Sequence, residues 1–144
     1  MTTIHLGVFD VPYVDAKGIT TGDVAEILEA KYHVMEVFAE IHAEDIAASL
    51  ANAVEGSIET LLMGGSFQAV QASMLGGLSD VDDKFKQFLS QGEMERLGYP
   101  GVPTKAALDR QSSRFKKMRG PNRRPSFIDT GQYQASFHSW VDNE

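Results

Sequence analysis

From Val24 to Leu62 the apolar residues of this chain recur mostly at three- and four-residue spacings: Val24, Ile27, Leu28, Met35, Phe38 and Ile41, then Ile46, Leu50, Val54, Ile58, Leu61 and Leu62. That is the period of one helical face and not the two-residue alternation of a strand, so helix must form the centre of the fold. Thr20 and Asp23, three apart, stand where a capping box would start the run. The pattern predicts one very long helix, or two joined near the sequence HAED at residues 42–45. Glu26, Glu29, Glu36, Glu40 and Glu44 lie largely off the apolar stripe. Carboxylates four residues apart repel on an isolated helix, so these need water or a cationic partner.

Upstream, TIHLGVFDVPYV alternates loosely, with Ile4, Leu6, Val8 and Val11 on one side, and predicts a strand. Pro12 has no N–H to give a sheet and marks an edge position. Downstream, Gly64-Gly65 and Gly76-Gly77 bracket SFQAVQASML, in which Phe67, Val70 and Met74 keep helical spacing. No phosphate-loop lysine follows either glycine pair, and both pairs predict helix ends or hinges. A short helix is expected over VDDKFKQFLSQGEMERL, after which Pro100 and Pro103 break the chain before another helical turn or two. The basic, turn-rich stretch RQSSRFKKMRGPNRRP predicts a flexible loop at about 110–125. There is no internal repeat. The whole predicts a single α+β domain over 1–144: an N-terminal strand, long amphipathic helices, the basic loop, and a short C-terminal strand or helix-strand packed on them.

Several chemistries are disfavoured by composition. The chain has no cysteine, which removes disulfides, thiolate catalysis and the commonest structural zinc sites. His5, His33, His42 and His138 are scattered, and nine steps of about 100° would put His33 and His42 on opposite sides of a continuous helix. There is no Gly-x-Ser-x-Gly nucleophile elbow. No catalytic residue, metal or cofactor is therefore expected, and the chain is taken as a non-enzyme. No apolar run approaches the roughly 18 residues of a membrane span, and MTTIHLGVFD lacks a signal-peptide profile. A soluble protein made inside the cell, with no membrane contact, is the expectation.

The stretch FIDTG, Phe127 to Gly131, has the form of an aspartic-protease signature. That chemistry requires two aspartates about 3 Å apart sharing one proton, hence a homodimer with a β-rich body and a flap. Here Gln132 and Tyr133 follow where such enzymes place a small residue, and 13 residues remain after Gly131. The expected role is structural: Asp129 and Thr130 cap a turn or helix start, and Gly131 permits the sharp turn.

Charge is unevenly distributed. Residues 1–100 carry 16 Asp and Glu against 5 Lys and Arg, a net of -11, whereas residues 101–144 carry 4 against 8, a net of +4. Such a split fits nucleic-acid binding by the basic part, head-to-tail packing of copies, or two ordinary solvated surfaces.

The last 40 or so residues, from GVPTKAALD to FHSWV, carry a resemblance through Pro125, Asp129, Thr130, Gly131, Tyr133, Ser136 and Phe137. A basic loop, a proline and DTG precede an aromatic residue, two positions, Ser and an apolar residue. This resembles small virion morphogenesis proteins of tailed bacteriophages, the neck, tail-completion and tail-terminator group. The resemblance implies a virion structural subunit, made in the host cytoplasm, that forms or joins a homo-oligomeric ring at the head-tail connector or tail end. Its partners would be itself, neighbouring neck or tail proteins and, transiently, DNA in the channel. Arg114, Lys116, Lys117, Arg119, Arg123 and Arg124 are the expected partner-binding residues. The alternative is a nucleic-acid-binding or DNA-packaging accessory using the same cations. Phe115 alone interleaves that run, which disfavours single-strand binding by stacking.

Overall fold

The computed structural model describes residues 2–14, 17–109 and 124–143. Thr20 opens the first helix as expected: its hydroxyl accepts from the Asp23 N–H at 3.2 Å while the Asp23 carboxylate accepts from the Thr20 N–H at 2.9 Å. The helix, α1 (Thr21–Tyr32), stops at His33, whose φ of 54° and ψ of 45° are left-handed. After that break come α2 (Val34–Ile41), α3 (Ala43–Leu62) and α4 (Phe67–Ser90), then three short helices, α5 (Glu93–Arg96), α6 (Lys105–Leu108) and α7 (Gln132–Ser136). The strands lie at the two ends, β1 (Thr2–Val8) and β2 (Phe137–Asn143), paired antiparallel from Thr2 with Asn143 to Val8 with Phe137. The α+β arrangement of end strands and long helices matches the expectation. Of the basic loop, Arg124 and Pro125 are described; the rest lies outside the described residues.

Three local expectations are corrected. The apolar run makes three helices and not one or two. Glu29 supports the additional break, because its carboxylate accepts from the N–H groups of Met35 at 2.8 Å and Glu36 at 3.0 Å, two donors that the start of α2 leaves without helical partners. The break rotates α2 relative to α1, burying Val34, Val37 and Phe38 while leaving Ile27 62 % exposed. Second, Val11 lies beyond the end of β1; Pro12 instead forms an isolated bridge with Thr20. Third, α4 runs unbroken through Gly76 and Gly77 and absorbs most of the separate helix expected after them.

Gly77 explains itself by packing. A Cβ there would lie 2.5 Å from the Ala53 Cβ and 3.0 Å from the Ser49 carbonyl oxygen, so its bare backbone is what lets α3 and α4 come together. Ser49, Ala53 and Ser57 line the α3 side of this seam and are buried. Ser57 Oγ donates to the Ala53 carbonyl at 2.7 Å and lies 3.3 Å from that of Val70. Gly64, by contrast, does end a helix: its φ is 77° and its N–H donates to the Leu61 carbonyl at 3.0 Å.

The core gathers at the far end of α4. Phe38, Val81, Phe85 and Phe88 are almost completely buried, and Phe137 of β2 stacks on Phe85 with ring centres 3.8 Å apart. Phe38 meets Phe85 edge-on at 5.1 Å. Asp82 fastens the strand to the helix, its Oδ1 accepting from the Ser139 N–H at 2.8 Å and hydroxyl at 2.7 Å.

The glycines provide a test by thermal or denaturant unfolding. Gly76→Ala should stabilise by about 0.5–1 kcal/mol, since no atom lies within 4 Å of the added methyl and the backbone is helical. Gly77→Ala should destabilise by roughly 1–3 kcal/mol through overpacking, and Gly64→Ala should also destabilise because of its positive φ.

Candidate assembly surfaces

The C-terminal motif is a joint in the fold. Its approach is held by Arg124, whose Nη1 donates to the Ile128 carbonyl at 2.9 Å and lies 3.3 and 3.4 Å from those of Pro125 and Ser126. The Ser126 hydroxyl accepts from the Thr104 N–H at 3.1 Å, tying the same loop to the start of α6. Gly131, at φ 82°, then turns the chain into α7, where the Thr130 hydroxyl accepts from the Gln132 N–H at 3.3 Å. Thr130 thus closes a side-chain turn just ahead of α7, whose N-cap is Gly131 with no side-chain cap bond. Tyr133 and Phe137 enter the core, and Ser136 is buried between them with its hydroxyl donating to the Tyr133 carbonyl at 2.8 Å. The aromatic, two positions, Ser, apolar pattern is therefore the inward face of a helix that becomes a strand.

Asp129 lies in the turn ahead of α7, outside the β1–β2 sheet. It lines an open, largely apolar groove of about 260 Å³ together with Tyr13, Ile19, Val24 and Tyr133. Burial, and then the nearby Asp129 charge, raise the Tyr13 phenol above its ordinary pKa. Tyr133 is also raised, first by burial and then by the charge of Glu29. Its hydroxyl is buried without a hydrogen-bond partner among the described residues.

Of the expected partner-binding cations, Arg114, Lys116, Lys117, Arg119 and Arg123 lie outside the described residues. Arg124 is half-buried and clamps the loop before DTG, so it has a structural task of its own.

A second surface was not legible in the sequence. Residues 32–83 contain no Lys or Arg. Within them α3 and the first half of α4 form an antiparallel hairpin whose small residues face its seam and whose large residues face outward. Val54 is 46 %, Ile58 53 % and Leu61 58 % exposed, rising to 81 % at Leu62, 88 % at Met63 and 79 % at Phe67 near the tip. The three- and four-residue periodicity was visible, but not that one flank of the helix would remain uncovered.

The histidines do not pair with one another. His42 Nε2 lies 2.7 Å from Glu93, joining the α2–α3 junction to α5, and His5 Nε2 lies 3.1 Å from Asp142 across the sheet. Glu29, His33 and Glu36 bring one ligand atom each to within 4.8 Å of the others. Capping of α2 by Glu29 and a 2.7 Å contact between His33 Nδ1 and Glu36 account for that cluster. No sequence-local signal marks the His42–Glu93 or Ser139–Asp82 contacts, which span 51 and 57 positions.

Tyr133→Phe tests the buried phenol. Removing an unpartnered hydroxyl should change stability at pH 7 by less than about 1 kcal/mol. A phenol whose folded pKa exceeds its unfolded value of 10.0 supports the fold below that pH and loses its contribution as pH rises above it. Denaturant unfolding followed from pH 8 upward should therefore show a smaller alkaline loss in the variant than in the parent.

Comparison with protein-family models, curated proteins and solved structures finds no match to this chain.

Proposed function

We propose that this chain is a structural subunit of a tailed-phage virion, forming or joining a ring at the head-tail neck or the tail end. The observation that supports an assembling role is the hairpin: Val54, Ile58, Leu61, Leu62, Met63 and Phe67, all exposed, lie together on one arm. The phage assignment rests on the C-terminal resemblance. Its residues Asp129 to Phe137 form a turn, helix and strand that close the fold, leaving the arm and the charged surfaces for partners.

The charge split supports the ring. A cyclic assembly needs two different, complementary faces, and a portion of net -11 with another of net +4 supplies them. In this reading Arg114, Lys116, Lys117, Arg119 and Arg123 meet an acidic surface of the next subunit or of a neighbouring neck or tail protein. Placement in the virion, with synthesis in the host cytoplasm, follows from the same reading. No helix among the described residues is long and apolar enough to cross a membrane.

The test reverses Lys116, Lys117 and Arg123 together to Glu and leaves Arg124, whose removal would free three carbonyls. Single exposed ion pairs contribute only about 0–1 kcal/mol, so the combined change is needed. The variant should keep the parent's circular dichroism and fail to enter particles or form rings by electron microscopy. Incorporation equal to the parent's would overturn the charged interface. DNA binding by the isolated chain that weakens steeply with salt would favour the nucleic-acid reading.

A further inference from the structure

The outward face of the α3–α4 hairpin has a geometry that goes beyond a general assembling role. On α3 the seam residues are Ser49, Ala53 and Ser57, and Val54 and Ile58 each follow a seam residue by one position, about 100° around the helix. On α4, Leu78 follows the seam residue Gly77 in the same way, and Met74 follows Ser73. Because the two helices are antiparallel, equal rotation in the same sense from their shared seam brings both stripes to one side. Met74 and Leu78 are half-buried, with Ser139 of β2 bonded to the Leu78 carbonyl, so the uncovered part of this apolar flank lies toward the tip.

Its area is that of an interface. Large apolar side chains carry roughly 150–200 Å² each, so Val54, Ile58, Leu61, Leu62, Phe67 and Leu75, exposed between 46 % and 81 %, leave on the order of 650 Å² uncovered on this flank and its tip. A typical monomer's largest apolar patch is about 300–600 Å², while each partner in a stable interface buries about 800 Å².

We infer that a second copy of this chain covers this flank with its own α3–α4 hairpin, making a four-helix bundle across a two-fold axis. Two helices packed through small residues bury only one side of each, and pairing two such hairpins is the smallest arrangement that covers the other. The flank's own residues are uncharged, so identical faces meet apolar on apolar; Glu55 and Glu59, three positions before Ile58 and Leu62, border the stripe at its rim. The hairpin itself offers no cation to an anionic lipid surface or nucleic acid, since no Lys or Arg occurs from residue 32 to 83. The inference rests on the self-assembling part of the preceding proposal and not on its phage assignment.

Sedimentation equilibrium of the full chain tests it. The parent should have the mass of a dimer or a multiple of it. Val54→Glu with Ile58→Glu, both at exposed positions, should weaken association at least 100-fold with helix content unchanged. Ile27→Glu, equally exposed but on α1, should leave the mass unaltered. Ile58→Cys, in a chain with no other cysteine, should be joined to a second copy by a short bis-maleimide, whereas Ile27→Cys should not. If the double variant loses helix content, the cross-linking pair decides. A parent that stays monomeric at about 100 μM, association that survives the double variant, or equal cross-linking at both positions would overturn the inference. A dimer that never enters phage particles would instead sink the virion reading and leave this interface standing.

Discussion

Phe137 lies flat on Phe85 at 3.8 Å while Phe38 meets Phe85 edge-on at 5.1 Å, and this contact joins β2, α4 and α2 at a single point. The two strands depend on it, because an isolated two-stranded sheet is at best marginally stable in water. Their register is carried onto the helix by Asp82, which receives both the N–H and the hydroxyl of Ser139. Burying each large side chain here contributes roughly 1.5–3 kcal/mol, a substantial share of the about 5–15 kcal/mol by which a domain is stable. The chain ends are thereby fastened to the middle of the molecule.

The division of α4 follows from the same packing. Its last turns carry aromatic residues into the core, whereas its first turns carry Ser73 and Gly77 to a close crossing with α3. Small residues at a crossing bring backbones together but bury little apolar area. The larger residues on both helices are displaced to the flank as a direct result. A helix pair built this way is well fitted internally and incompletely covered externally, which is a physical reason for it to seek another surface.

The DTG segment makes a related point about motif and role. Two apolar residues followed by Asp-Thr-Gly describe a local chain geometry as much as a chemistry. Here Gly131 makes the turn, Thr130 receives the Gln132 N–H, and the residues beyond carry Tyr133 and Phe137 into the core. The groove beside Asp129 is lined mainly by apolar groups from the N-terminal loop, α1 and the turn itself. What the motif accomplishes in this structure is closure of the fold.

Local signals were legible wherever neighbours in sequence are neighbours in space. The Thr20–Asp23 capping box, the helical centre, the end strand and the Gly64 terminus all depend on contacts within a few residues. The break at His33 was not legible, because the Glu29 carboxylate that supports it lies on the preceding helix and meets α2 only after the chain has turned. The glycine pair at 76–77 resembled a helix end because glycine's backbone freedom is a local property, whereas its function at Gly77 is clearance from Ala53, a residue 24 positions away. The sequence by itself thus determined helix, cap, turn and the separation of charge. Tertiary structure decided which side of each helix is covered, since burial depends on distant partners: it placed Ile27, Val54 and Ile58 on the surface although all three belong to the same apolar periodicity as buried Phe38.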